Sequence, residues 1–290
     1  MVGVVVLPLA VAAGEDDVVF REPVAHPRDP LRTPVIVDDV GVRHVDLVAD
    51  DHLVVVPAQA HRQDAGKAWI SDHQYEEITA VKAQLTHAEL FARTNPVHPG
   101  LKQEIDLLVE QEVDVLMLPM FRSVKEAATF IELVDGRAQV SLLVETATAA
   151  MRLRDIIQLP GIDEIHFGLN DLYLDMKLSN HFEVLTSGLL DMLAQIMSET
   201  TIPFGFAGIG RVNDARLPIP SDLIYAQYPR LGATRALVSR VFYSPDFRSL
   251  DLTAEVHAAR AALNRWHTAS QEDQQAALIA LRSKVSGWVV

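Results

Sequence analysis

Two acidic residues, Glu145 and Asp171, offer the most legible chemistry in this chain. Each follows at once, or nearly so, on a short apolar run: Val140 to Val144 before the first, Glu164 to Phe167 before the second. Between them, Thr146 to Ile157 has helical spacing and few breakers, and Pro160-Gly161 stops it. The pattern predicts strand, helix, strand, turn, with the two acids just past the carboxyl ends of strands and one βα unit apart. In parallel α/β architectures, active sites form at that end. Two carboxylates there can share one hard divalent cation, because Mg²⁺ is usually held by one or two carboxylates plus water and substrate. A lone acid after a strand more often just caps the next helix. The pairing, with Gly168 bringing the backbone close, favours a site.

Composition narrows the classes. A chain of 290 residues is long enough for one large barrel or two medium domains. It is 49% hydrophobic and 22% charged, ordinary for a soluble globular protein. A net charge of −14 argues against a nucleic-acid partner held through phosphates. The chain has no cysteine, which excludes disulfides, zinc-thiolate sites and thiol nucleophiles and fits a cytoplasmic protein. No apolar run reaches the length of a membrane span, so no membrane association is expected. The opening MVGVVVLPLAVAAGED has a faint secretory h-region but lacks the basic n-region of a signal peptide.

The elements that must position these residues emerge unevenly. Residues 1–58 are valine-rich and proline-interrupted, with candidate strands only at Val35 to Val37 and Leu53 to Val56 and no normal-length helix between them. From about Gly66 the pattern is regular. Helices are expected over 73–84, 99–111, 123–134, 146–157, 182–200, 221–231, 252–266 and 270–285. Six strands start near 89, 113, 140, 164, 203 and 235. Such alternation points to a parallel sheet with helices outside. A closed (β/α)8 TIM barrel is the first expectation and an open doubly wound sheet the second. The barrel needs two more strands, which only residues 33–57 are expected to supply. Three segments follow: an irregular 1–58, a barrel over 59–250 and terminal helices over 251–290. No glycine-rich dinucleotide fingerprint or phosphate loop follows any strand.

Parallel strands gather further polar residues at their carboxyl ends: Arg93, Gly208 to Arg211, and Ser239-Arg240. Arginine suits a carboxylate or phosphate because its fork binds two oxygens at once. Taken singly, each arginine is as readily a salt bridge. Among eleven histidines, His73 in ISDHQYEEI is best placed to exchange a proton. His166 lies inside a strand and is expected to pack; His87, His98 and His181 are expected in loops or on the surface.

Residues 69–245 resemble the HpcH/HpaI-type aldolase and citrate lyase family. The resemblance rests on FARTNP at 91–96, VDVLMLPMFRSVKEA at 113–127, LLVETATAA at 142–150 and PGIDEIHFGLNDLYLD at 160–175. FGFAGIGR at 204–211 and RLGATRALVSRVF at 230–242 extend it. It implies a TIM barrel binding Mg²⁺ or Mn²⁺ through Glu145 and Asp171. Arg93 would steady a keto-acid enolate and His73 would be the base. By their places just past strand ends, Gly168, Asn170, Gly208, Arg211 and Arg240 are expected, with Arg93, to line the substrate site. The resemblance further implies a carbon–carbon lyase acting on a small 2-keto acid, assembled as a homo-oligomer with terminal helices between subunits. Phosphoenolpyruvate- or acyl-CoA-handling lyases and a catalytically impaired barrel are the alternatives. The family's usual opening, a strand–helix–strand ending in an acidic motif, is not found in residues 1–58.

Overall fold

The computed structural model describes residues 89–242 and 250–288, together with residues 78, 79 and 82 and the backbone of strands at 4–8, 35–38, 41–44 and 52–55. Six parallel strands form its centre: β5 (Glu89–Arg93), β6 (Val115–Leu118), β7 (Gln139–Val144), β8 (Glu164–Phe167), β9 (Phe204–Ile209) and β10 (Arg235–Val238). They pair in chain order, each parallel to the next, and curl into a half-barrel of TIM-barrel type with helices outside.

The amino-terminal strands correct the sequence expectation. β2 (Val35–Asp38) and β3 (Gly41–His44) make a separate antiparallel hairpin and do not enter the central sheet. β4 (His52–Val55) pairs parallel with β5. The remaining neighbour is β1 (Val4–Pro8), which the valine run did not suggest, and it lies antiparallel to both β4 and β10. Eight parallel βα units are therefore not what the described backbone contains.

Strand residues sort by the two-residue pleat. Leu90, Ala92, Leu116, Leu118, Leu142, Val144, Ile165 and Phe167 join the large core between sheet and helices. Phe91, Val115, Met117, Leu143 and Leu237 form a second, smaller cluster, with Ala207 against it. The second set faces the interior of the curled sheet. The same alternation turns Arg93, Glu145, Glu164, His166 and Gly168 inward.

Local chemistry explains most helix boundaries and three corrections. Ser123 and Glu126 make a reciprocal capping box for helix Val124–Val134, and Asp135 ends it in the left-handed conformation. The single helix expected over 146–157 is two short ones, Ala147–Ala150 and Leu153–Ile156, because the Arg152 N–H turns back to the Ala149 carbonyl three residues away. The long helix expected over 182–200 breaks at Gly188, at φ +89°, into His181–Thr186 and Leu189–Met197. The 221–231 helix is split into Ser221–Tyr225 and Gln227–Leu231. Of the helix expected over 73–84, residues 78, 79 and 82 are helical, and Ile78 is fully buried.

Helices Leu252–Thr268 and Gln271–Val285 pack on the outer helices of the same chain. Asn180 anchors their end, donating from Nδ2 to the Trp288 carbonyl at 2.8 Å. Among the described residues, no helix is long and apolar enough to cross a membrane.

Candidate active site

Glu145 follows Val144, and Gly168 follows Phe167, the residue paired with Val144 across β7 and β8. The Gly168 N–H donates to the Val144 carbonyl at 3.1 Å, so the two strands leave the sheet together. Glu145 is 1% exposed. Its Oε1 accepts the Met120 N–H at 3.0 Å, from the loop after β6. A Cβ at Gly168 would stand 2.7 Å from the Glu145 Cβ and 2.8 Å from its Oε2. Glycine is thus what lets the second strand end press on the first acid. The turn expected after Gly168 is instead helix Leu169–Asp175, with Asp171 in its first turn and largely buried. Asp171 therefore sits three residues beyond the glycine that touches Glu145, and both acids occupy the carboxyl edge of β7 and β8.

Three loops at that edge are tied together by groups the sequence did not mark. The Thr146 hydroxyl donates to the Phe121 carbonyl at 2.8 Å and caps helix Ala147–Ala150 by accepting the Ala149 N–H. Asp175 accepts the Ala147 N–H at 2.8 Å through Oδ2, and its Oδ1 lies 3.5 Å from Arg122 Nη2. Met120 adopts a positive φ of 55°, which turns its N–H toward Glu145. Backbone donors leave no trace in side-chain type. Asp175, however, lies one helical turn past Asp171, a legible spacing.

Arg93 ends β5 on the inward face, beside Met117 of β6. The segment after it is fixed by Glu104, a buried acid of helix Leu101–Glu110 that sequence reasoning missed. Glu104 Oε1 accepts the Asn95 N–H at 2.8 Å and Asn95 Nδ2 at 3.2 Å. Its Oε2 pairs with His98 Nε2 at 3.0 Å, and His98 Nδ1 accepts the Gly100 N–H. That acceptor role makes His98 the Nε2–H tautomer, donating to Glu104.

Gly208 is the extra residue of a β-bulge. Ala207 pairs with Leu237 but Ile209 pairs with Val238, and Gly208 takes φ +121° with Phe182 packed over it. Arg211 is buried and ion-paired with Asp214 at 3.2 Å. Hydrogen bonds from Arg216, with Arg211 beside it, hold the Asp214 carboxyl well below the usual carboxylate range. Asn170 is exposed on the first turn of its helix. Arg240 opens the 3-10 turn Arg240–Phe242, and its side chain lies outside the described residues, as does all of His73. The structure therefore brings Glu145 against Gly168, with Asp171 in the first helical turn beyond it, sets Arg93 on the same inner face, and places Arg211 in an ion-paired loop.

Two histidine expectations resolve differently. His166 is fully buried on the inner face with Nε2 3.0 Å from Glu164 Oε1, and Arg235 donates to Glu164 Oε2. It packs, as expected. His181, expected in a loop or on the surface, opens a helix and lies between Phe182 and Trp288, with ring centroids 4.3 and 5.2 Å away. Burial there lowers its pKa to about 4.

Among the described residues, no three or more His, Cys, Asp or Glu side chains form a metal cluster. The Glu145–Asp171 donor set fits a hard cation held by two carboxylates, with its other positions left to water and substrate.

Comparison with known proteins supplies the context. A citrate lyase from Burkholderia xenovorans LB400 superposes with a TM-score of 0.52 at 17% identity, covering 77% of this chain and 72% of that one. RipC from Yersinia pestis superposes with a TM-score of 0.50 at 14% identity, covering 76% and 91%. An HpcH/HpaI aldolase from Desulfitobacterium hafniense DCB-2 gives 0.48 at 15% identity, covering 65% and 76%. At these identities the likeness concerns the fold. No curated protein sequence matches. Residues 55–198 match the HpcH/HpaI aldolase/citrate lyase family, a span that holds Arg93, Glu145, Gly168 and Asp171. Residues 55–198 are thus an HpcH/HpaI aldolase/citrate lyase domain.

Proposed function

We propose that the protein is a divalent-metal-dependent carbon–carbon lyase that cleaves or forms a small 2-keto acid by an aldol-type reaction. The observation that carries this is the buried Glu145 pressed against Gly168, with Asp171 three residues further on. Glu145 and Asp171 would hold Mg²⁺ or Mn²⁺. The bound ion supplies positive charge to the oxygens of a 2-keto acid, favouring the enolate form.

The chain's own residues do the rest. The Met120 N–H fixes one Glu145 oxygen, leaving the other toward Gly168. Arg93, at the end of its strand, donates hydrogen bonds to the substrate oxygen on which negative charge develops. Phe91, Met117 and Leu143 close the interior beneath and exclude water from below. In the cleavage direction a base takes the proton from the hydroxyl at C4 and the C3–C4 bond breaks. Its electron pair becomes the pyruvate enolate, which is then protonated at C3. The base is His73 on the family resemblance. Among the described histidines, His98 and His166 are already committed to Glu104 and Glu164.

The test is exchange of the pyruvate methyl protons with deuterated water, with Mg²⁺ or Mn²⁺ titrated in. Exchange is expected to require metal and to fall at least about 100-fold in Glu145→Gln and in Asp171→Asn, consistent with loss of a group stabilising developing charge. Metal-independent exchange, or wild-type exchange in both variants, would refute the assignment.

A further inference from the structure

We propose that Asp175 is the positioning residue that holds the Glu145–Asp171 pair in register. This rests on reading that pair as the divalent-cation site. Nothing in the order of strands fixes helix Leu169–Asp175 relative to the segment beyond Glu145: the helix begins only after β8 has ended. The Gly168–Glu145 approach sets its first residue. Leu169 and Leu172 bury one side of the helix in the core, but apolar burial is non-directional and does not by itself set the position of Asp171 along the edge. Asp175 supplies a directional contact. It is the last residue of the helix, four positions after Asp171, so both acids lie on one helical face. Its Oδ2 accepts the N–H of Ala147, two residues past Glu145 and first in helix Ala147–Ala150.

That N–H has no partner within its own helix, and the amino end of a helix favours a negative charge. The bond is therefore charge-assisted and directional. The second oxygen faces Arg122, in the loop whose Met120 N–H holds Glu145. Asp175 thus links the helix bearing one acid to both segments that fix the other. Its side chain is 18% exposed, so water competes weakly for these bonds. Partners of this kind, one step removed from a metal, typically change metal affinity 10–100-fold when removed.

The experiment measures Mn²⁺ affinity of the full chain by the loss of the free-ion electron paramagnetic resonance signal, alongside thermal melting and hydrogen exchange of the 145–150 segment. Asp175→Ala is expected to weaken Mn²⁺ binding about tenfold and to speed exchange at the Ala147 amide. Asp175→Asn keeps an acceptor for that N–H and is expected to bind within about threefold of wild type. Asp163→Ala is the control. Asp163 accepts the Val140 N–H at 2.7 Å, an analogous bond at the opposite, amino-terminal edge of β7 and β8. It should lower the melting temperature without changing Mn²⁺ affinity.

Wild-type affinity in Asp175→Ala, or equal weakening in Asp163→Ala, would overturn the proposal. If the wild-type protein binds no Mn²⁺, the cation reading itself fails. The exchange data then still decide the tie: unchanged Ala147 exchange in Asp175→Ala overturns it, and faster exchange sustains it.

Discussion

Replacing Gly168 with alanine adds one methyl group at the closest contact in the candidate site. The backbone there, φ −85° and ψ 94°, accommodates an L residue, so any effect is a packing effect. The new Cβ would meet the Glu145 Cβ at 2.7 Å and Oε2 at 2.8 Å. Carbon atoms at ease are about 3.5–4.0 Å apart, so the contact must open by roughly 1 Å. Rotating the carboxylate away does not relieve it. The Cβ is fixed to the end of β7, and Oε1 is held by Met120. Overpacking of this size costs about 1–3 kcal/mol. At roughly 2–4 °C per kcal/mol for a chain this large, melting should fall by about 2–12 °C.

A shift of about 1 Å in a ligating group can cost up to about 100-fold in activity, and a tenfold or greater loss of Mn²⁺ affinity is expected. Differential scanning fluorimetry and Mn²⁺ titration measure the two effects. Gly287→Ala, where an added Cβ meets nothing within 4 Å, should change neither. If Gly168→Ala melts and binds Mn²⁺ as the wild type does, the claim that glycine seats Glu145 is wrong.

Two further outcomes follow from buried ionisable groups. Glu104→Ala removes the acceptor for Asn95 and His98 and should lower stability by about 3 kcal/mol in urea melts, since bonds to a charged group are strong and their partners are left buried. Glu104→Gln keeps one acceptor and should lose less; equal melts for all three proteins would show that the segment after Arg93 is held by something else. His181 has its folded pKa lowered to about 4 by burial, so between that value and about 6.5 the unfolded chain binds the proton more readily. Stability is therefore full above about pH 6.5 and falls with pH below it, by about 2 kcal/mol from pH 7.5 to 5. His181→Phe should flatten that part of the profile, and an unchanged slope would remove His181 as its source.

Much of this protein is set by local pattern. The strands from residue 89 onward could be placed to within a few residues because apolar runs alternate with amphipathic ones, and the pleat then fixes which side chains turn inward. Glu145 was legible because a polar residue directly after a buried strand stands out against its neighbours, and Asp171 because it lies only a few residues past the next one. The helix expected from Ser123 was legible, and the bonds that cap its start lie within four residues.

What sequence pattern missed depends on distance or on backbone. The donor to Glu145 is an amide of Met120, which any residue type could supply. The breaks at Arg152 and Gly188 interrupt runs whose apolar spacing continues across them, so periodicity alone joins the halves. Glu104 sits on an amphipathic helix where an acid reads as solvent-facing, and only the returning loop at Asn95 and His98 gives it a buried role. Residues 1–58 carry strands without helical punctuation, and the reversed direction of β1 is invisible in a run of valines because side-chain alternation is the same in either direction. The sequence by itself determined that Glu145 follows the end of one buried strand and that Asp171 lies shortly past the end of the next. Only tertiary structure decided that one strand end presses its glycine against the other's carboxylate, because that contact is made between chain segments whose spacing in sequence says nothing of their approach in space.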